Sequence, residues 1–405
     1  MVVVLPAFWT MGQLGQWWDP PLAAVVVAVM LGVSLPRAVA AVDRAHWPGA
    51  CAGLLVATVV ATVARAWVAA GDGWEAAGAV VFAALAALTA WLRRFGAAWR
   101  TVGLVAGLPL VAVLVAPVPS ALSWGLVGWV AVGATAAAVW ALATAWLGAP
   151  VETVGSGSPS VPAGRRLFSS TRMSLQLAAA VGLAFVAAQL VDATHLVWPV
   201  LTAFLVLNNN RGRGDVLWKG AQRLVGAAAG TAAATVVVGW WPAGDSRAVV
   251  AVFVLLAVGS AVRTFGYAYW AACVTAGLAF FYGYLDQGGV SVLAQRLAGI
   301  GIGGAVAIAV AWFLLPVRTT DVVRARIGAV RRAAAAQQKP TAQLREARRQ
   351  LTQMLPTVRA ARMLGIGSVR TLADTVEQTL ERTRAPATDP ATPTDVRISP
   401  DGADR

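Results

Sequence analysis

Eleven long apolar runs divide the first 316 residues of this chain. Most are close to the roughly 20 residues that an α-helix needs to cross a hydrocarbon core of about 30 Å. Because helices satisfy their own backbone hydrogen bonds in lipid, the pattern predicts an all-α, polytopic membrane protein with about 11 transmembrane helices. The runs lie near residues 20–36, 47–67, 75–92, 101–118, 121–146, 173–191, 195–208, 221–241, 247–263, 265–284 and 292–316.

The composition excludes other classes of protein. Hydrophobic residues make up 58% of the chain and charged residues only 12%, which leaves too little polar surface for a soluble globule. The net charge of +14 agrees with the positive-inside rule for membrane proteins, so we expect no nucleic-acid partner. The only two cysteines, Cys51 and Cys273, lie within apolar runs, so we expect no disulfide, no metal site and no cofactor.

The runs and their connections predict five parts. Residues 1–147 hold about five runs and form an N-terminal transmembrane module, and a flexible cytoplasmic linker rich in Gly, Ser and Pro follows at 148–172. Residues 173–316 hold six runs and form a C-terminal transmembrane module. Basic cytoplasmic helices are predicted at 317–385, and a disordered tail at 386–405.

The N-terminal residues 1–18 carry no charge, and they lack the basic start of a cleaved signal peptide. They could instead belong to a missing or degenerate first helix, and the sequence leaves this open.

Basic residues predict the orientation. If the C-terminus is cytoplasmic, five basic turns fall inside and the acidic turns fall outside, as expected in an inner (plasma) membrane. Three arginines are exceptions near outer ends: Arg65, Arg247 and Arg296. The basic turns hold Arg37 and Arg44; Arg93, Arg94 and Arg100; Arg165, Arg166 and Arg172; Arg211, Arg213 and Lys219; and Arg263.

A glycine pair is found in both halves. Gly49 and Gly53 recur as Gly226 and Gly230, 177 residues further on, each pair after a basic turn. Small residues one helical turn apart allow two helices to approach closely, so we expect these four glycines to be packing positions. The recurrence also favours two related modules, as in many secondary transporters.

A polar turn separates the seventh and eighth runs. It holds the candidate binding residues Asn208, Asn209, Asn210, Arg211 and Arg213. Such a turn is unfavourable against lipid, so it is either a solvated loop or the lining of a path. The arginines could recruit a carboxylate by charge-assisted hydrogen bonds, or they could only set the topology.

Arg223 is a further candidate, because it lies inside the start of a run. Facing lipid, its side chain would have to extend to the interface, whereas facing the interior it could hold an anionic substrate or a neighbouring helix end. Gln176 and Gln189 predict hydrogen bonds between helices, with cavity lining as the alternative. Asp192 and His195 are interfacial polar residues, or else a gate or proton relay.

Two aromatic features allow more than one interpretation. Trp198 and Pro199 near the start of the short seventh run indicate an interfacial start or a broken helix. All four tyrosines lie between 267 and 284, where an aromatic belt at both interfaces explains them better than an aromatic substrate box.

From about Arg172 to Pro316 the chain resembles the C-terminal membrane module of the fusaric acid resistance, or aromatic acid exporter, family. The similar elements are Trp198-Pro199 with Thr202, the basic turn, and Arg223-x-x-Gly226-x-x-x-Gly230. The resemblance implies a bacterial inner-membrane exporter of hydrophobic organic acids with two six-helix modules. The chain departs from the family pattern in three places. Its turn holds three asparagines, its mid-chain cytoplasmic region is reduced to about 25 residues, and its first half has one helix fewer than six.

The predicted function is export of small organic acids, aromatic ones among them, or of amphiphilic anions. No segment matches Gly-x-x-x-x-Gly-Lys-Ser/Thr, so we expect no built-in ATP motor. The alternative is a non-transporting membrane scaffold in envelope assembly. An enzyme is not expected, since two histidines and two apolar cysteines offer no convincing catalytic set. Expected partners are membrane lipids and the organic anion, with a second copy or a periplasmic or envelope protein as further options.

Overall fold

The computed structural model is helical in all its regular elements. It describes residues 2–40, 42–70, 73–119, 121–147, 169–191, 197–208, 210, 212–238, 241–263, 265–286, 290–315, 319–335, 342–363 and 367–383. The chain forms two compact units, Met1–Val322 and Val323–Arg405.

The first half of the larger unit holds helices α1 to α7 among its described residues. They are α1 (Val4–Leu14), α2 (Leu22–Ala40), α3 (Trp47–Ala70), α4 (Trp74–Leu92), α5 (Ala97–Ala106), α6 (Leu108–Val115) and α7 (Trp124–Leu147). Gly107 separates α5 from α6, and Pro109 lies in the first turn of α6, where a missing N–H is tolerated. The uncharged N-terminus is helical: Val4 of α1 packs against Gly32 of α2.

The second half holds six helices in its described part. They are α8 (Ser169–Val191), α9 (Val197–Leu207), α10 (Arg213–Val238), α11 (Ser246–Val262), α12 (Tyr267–Tyr284) and α13 (Val290–Phe313). Each of the eleven predicted runs coincides with one of the helices from α2 to α13, the fourth run with α5 and α6 together.

Seven helical segments of the described chain are long and apolar enough to cross a membrane. They are Leu22–Ala40, Arg44–Ala70, Trp74–Leu92, Ala98–Val115, Trp124–Leu147, Ser170–Val191 and Ala294–Phe313. Helices α9 and α11 are apolar but shorter. The prediction of an all-helical multi-pass membrane protein is confirmed, whereas the count of about 11 spans stays a prediction.

Several helices at corresponding positions in the two halves pack against corresponding neighbours. Helix α1 packs on α2 and α7, and α8 packs in the same way on α9 and α13. Likewise α3 contacts α5 and α7, while α10 contacts α12 and α13. One apolar core runs through both halves. This agreement favours the predicted relation between the modules, with α1 in the first half at the position that α8 has in the second.

The recurring glycines pack unequally. A side chain at Gly226 or Gly230 would collide with a backbone carbonyl oxygen of α12, that of Ala268 or of Ala272. At Gly53 the added carbon would instead lie 2.8 Å from one side-chain methyl of Val102. At Gly49 the added carbon would lie 3.7 Å from the other methyl of the same residue. Backbone cannot move aside as a side chain can, so the second pair fixes its helix contact more strictly than the first.

Helix α9 is short and enclosed on all sides. Its 11 residues extend about 16 Å, half of a hydrocarbon core, and nine of them are buried. A second glycine pair makes this possible: Gly299 of α13 would meet Trp198, and Gly303 the Pro199 carbonyl, if either carried a side chain. Trp198 is therefore buried at the start of a half-length helix and is not an interfacial residue.

The smaller unit contains the end of α14 (Thr319–Ala335) and helices α15 (Ala342–Thr352), α16 (Leu355–Met363) and α17 (Gly367–Arg382). Leu351 near the end of α15 and Met354 just after it are fully buried. Pro356 does not interrupt the helical region, because it lies in the first turn of α16.

Two predicted segments lie outside the described residues. Residues 148–168 of the linker are not described, and α8 already begins at Ser169, so residues 169–172 are helical and not linker. The tail 386–405 lies wholly outside the description.

Candidate functional site

Three arginines from three other parts of the fold meet α9 at successive heights. Arg296 of α13 contacts Trp198 at its start, Arg223 of α10 contacts Thr202 in its middle, and the arginine that caps α4, Arg93, contacts Asn208 just past its end. At 1.5 Å per residue the three contacts cover about 15 Å along the helix axis. A line of positive charge thus follows the buried helix.

Arg223 faces the interior of the second module. Its side chain is 8% exposed; Nε donates to Thr202 Oγ1 at 3.1 Å and Nη1 donates to Tyr267 Oη at 3.3 Å. Lys219 is drawn elsewhere, into an ion pair with Asp215 at 2.8 Å. These two hydrogen bonds, from two of the five guanidinium donors, fix the orientation of the Arg223 side chain.

Arg93 holds the C-terminal end of α9. Its Nη2 donates to Asn208 Oδ1 at 2.8 Å, and its Nε is buried without a partner. Burial lowers the pKa of Arg93 to about 10, so the group remains charged at neutral pH. Asn208 is thereby engaged with α4, across the boundary between the two halves.

Arg296 is the largest fully buried side chain among the described residues, at 1% exposure. Its Cζ lies 4.3 Å from the Trp198 ring centroid and 5.2 Å from that of Tyr282. All three of its side-chain nitrogens are buried without a hydrogen-bond partner. Tyr282 lies within electrostatic reach of a second arginine as well, Arg65 of α3, whose Nε is also buried and unpartnered.

The two glutamines serve different contacts. Gln176 is buried, and its Nε2 donates to the carbonyl of Leu314 at 2.7 Å and of Leu315 at 3.3 Å, which caps the end of α13. Gln189 is exposed and donates to Glu75 Oε2 at 3.0 Å. The structure therefore places both at helix-to-helix hydrogen bonds, the first within the second module and the second between the halves.

The central turn is only partly described. Asn210 is buried and its Oδ1 has no partner, while the Arg213 guanidinium lies 5.6 Å from the Trp312 ring centroid. Asn209 and Arg211 lie outside the described residues, as do Asp192 and His195, so their predicted roles remain predictions.

Two tyrosines do more than mark an interface. Tyr267 accepts a hydrogen bond from Arg223, and Tyr282 stacks against Arg296 and, edge to face, against Trp198 at 6.3 Å between ring centroids. Tyr269, in contrast, is 58% exposed, as an interfacial aromatic residue would be. An aromatic belt explains that residue but not the two that contact buried arginines.

An apolar cavity of about 190 Å³ lies between the halves. Residues of α2, α11 and α12 line it, among them Val29, Leu256 and Phe281. The Phe281 ring also contacts that of Tyr282, at 5.7 Å between centroids, so the cavity wall adjoins the arginine and tryptophan contacts. Within the described part of the chain, no three His, Cys, Asp or Glu residues are grouped as a metal site would require.

The sequence does not mark Arg93 or Arg296 as a binding residue. For Arg296 the available signal is its position as an exception to the positive-inside rule, because a charge inside a predicted span needs an interior partner. Arg93 carried no such signal, because a basic residue at the end of a span is ordinary.

Residues 183–310 match the family model described as fusaric acid resistance protein-like. The matched region includes α9 and the arginines at 223 and 296. The predicted family resemblance is thereby confirmed over this part of the chain, and the family is one of membrane transporters and not of enzymes. No curated protein and no solved structure gave a match. The family match and the apolar helices together support a multi-pass membrane protein, and the match suggests a role related to transport or efflux.

Proposed function

We propose that this protein exports small organic acids, including aromatic acids, or amphiphilic anions across the inner membrane. The observation that carries the proposal is the line of arginines at 93, 223 and 296 along the buried helix α9. Such a line of positive charge attracts anions and repels metal cations, because a charge in a low-dielectric interior acts strongly on its neighbours.

Among the described residues, no carboxylate pairs with these arginines to make them structural ion pairs. None of the three forms a salt bridge with a described carboxylate; their contacts are Asn208, Thr202, Tyr267, Trp198 and Tyr282. Neutral partners orient a guanidinium but leave its charge uncompensated. A passing carboxylate would compensate it.

The apolar cavity between α2, α11 and α12 suits the other end of such a molecule. Its lining is almost entirely aliphatic and aromatic, and its volume of about 190 Å³ suits a small hydrocarbon or ring. An acid with an apolar body and one carboxylate matches both features. The chain shows no phosphate-binding loop of an ATPase, so we propose that export depends on an ion gradient or a partner.

Efflux measurements test the proposal directly. Cells with the protein, preloaded with a panel of aromatic and aliphatic acids, are expected to lose at least one acid faster than cells without it. Neutral amides of the same acids serve as controls and should leave at equal rates in both strains. Equal rates for every acid would favour the non-transporting scaffold in envelope assembly.

The proposed orientation places the linker and the C-terminus in the cytoplasm. With Cys51 and Cys273 replaced by alanine, Ser156→Cys and Thr394→Cys are expected to resist an impermeant maleimide in intact cells and to react after lysis. Ser246→Cys, in a predicted outer turn, should react in intact cells. Reaction of either first site from outside would contradict the orientation.

A further inference from the structure

Arg296 has an environment that a purely structural arginine does not need. Trp198 and Tyr282 present ring faces within 6 Å of the guanidinium carbon, while no described group accepts a hydrogen bond from Nε, Nη1 or Nη2. Ring faces stabilise the positive charge but accept hydrogen bonds poorly. Up to five N–H donors are therefore held in place without a partner.

An unpaired buried charge is unfavourable for folding. No described carboxylate pairs with Arg296, whose described contacts are the rings of Trp198 and Tyr282. Replacing Arg296 with an apolar residue of the same length would remove the penalty. Its presence is explained if a ligand supplies the missing acceptors.

The packing around Arg296 is built to hold this arrangement. Gly299, one turn further along α13, has no side chain where Trp198 approaches, and Gly303 does the same for the Pro199 carbonyl. These glycines bring the start of α9 onto α13, which places the Trp198 ring against the guanidinium at 4.3 Å.

We propose that Arg296, between Trp198 and Tyr282, is a binding site for the carboxylate of a small organic acid. The inference rests on the proposed export function and names the site at which the acid is held. Two carboxylate oxygens match the fork of a guanidinium, so the acid accepts two parallel hydrogen bonds. Because side chains enclose the nitrogens in this structure, the two rings must separate to admit the ligand.

A phosphate of an anionic lipid presents the same oxygen geometry, so the experiment must separate the two sources. The full-length protein is purified in an uncharged detergent, and its unfolding temperature and calorimetric affinity are measured with benzoate and with neutral benzamide. A parallel series uses phosphatidylcholine nanodiscs with and without phosphatidylglycerol. The variants are Arg296→Met and the matched control Arg247→Met, which changes an exposed arginine in the first turn of α11.

Benzoate is expected to raise the unfolding temperature of the unaltered protein, and benzamide is not. Arg296→Met should weaken benzoate binding by at least about tenfold, since charge-assisted hydrogen bonds are lost, and Arg247→Met should not. Without ligand, Arg296→Met should unfold at a higher temperature than the unaltered protein, because the unpaired charge is gone.

Equal benzoate affinity in Arg296→Met and the unaltered protein would overturn the inference, as would a lower unfolding temperature of the ligand-free variant. Stabilisation through Arg296 by phosphatidylglycerol but not by benzoate would overturn the assignment to a carboxylate. If Arg296-dependent binding is found without efflux, only the export function fails. If efflux is intact and binding does not depend on Arg296, only this site fails.

Discussion

Gly226→Leu is expected to prevent most of the protein from folding. The first carbon of the new side chain would collide with the Ala268 carbonyl oxygen of α12, and it would also meet the Ala271 side chain at 2.8 Å. Relief requires α10 and α12 to separate, and α10 carries Arg223 while α12 carries Tyr267 and Tyr282. Overpacking against backbone reaches the upper end of the usual range, about 3 kcal/mol or more.

The measurement is the folded yield in detergent, by size-exclusion chromatography, together with the unfolding temperature. Gly182→Leu is the matched control, because Gly182 lies within α8 and nothing is within 4 Å of an added carbon there. It should fold with near-normal yield. Gly49→Leu should lie between the two, since only the Val102 side chain is near. Equal yields for Gly226→Leu and Gly182→Leu would remove the packing role of Gly226.

Arg223→Gln is expected to reduce the initial rate of acid efflux by roughly 10- to 100-fold at matched protein level. This factor corresponds to the loss of charge-assisted hydrogen bonds of about 1.5–3 kcal/mol. Arg223→Lys should retain part of the activity, because it keeps the charge but replaces a planar fork by a point charge. Initial rates from preloaded cells or vesicles provide the measurement.

Two controls separate binding from other roles of Arg223. Arg94→Gln removes an exposed arginine near the end of α4, so a purely topological role predicts the same small effect for both arginines. Thr202→Val removes the same bond between α9 and α10 but keeps the charge, so a purely structural role predicts that it matches Arg223→Gln. If either control equals Arg223→Gln in efflux rate, the anion-binding role is wrong.

Local sequence predicted the elements of the fold well. All eleven apolar runs are helical in the structure, and the largest difference is at α10, which begins at Arg213 and not at 221. The reason is that Asp215 and Lys219 form an ion pair within the first turns, so a charged segment continues the helix. Apolar length detects spans, but it does not detect a helix whose first turns are polar.

The candidate site was predicted in part. Arg223 was selected because a charge inside a span is costly, and the structure buries it. Gln176 was selected for its polarity, but that it caps the end of α13 depends on a residue 138 positions away. Asn208 was selected as part of a turn, and its partner Arg93 lies 115 positions earlier. Such pairings leave no local pattern.

By itself, the sequence determined that this chain is a helical membrane protein, because the composition and length of its runs allow little else in lipid. It also indicated the family and the residues of the motif around Arg223. Only the tertiary structure decided which charges face inward together. Helix α9 lies on α13 at Gly299 and Gly303, and this contact between distant segments turns Arg296, an exception to the charge rule, into a buried cation between two aromatic rings.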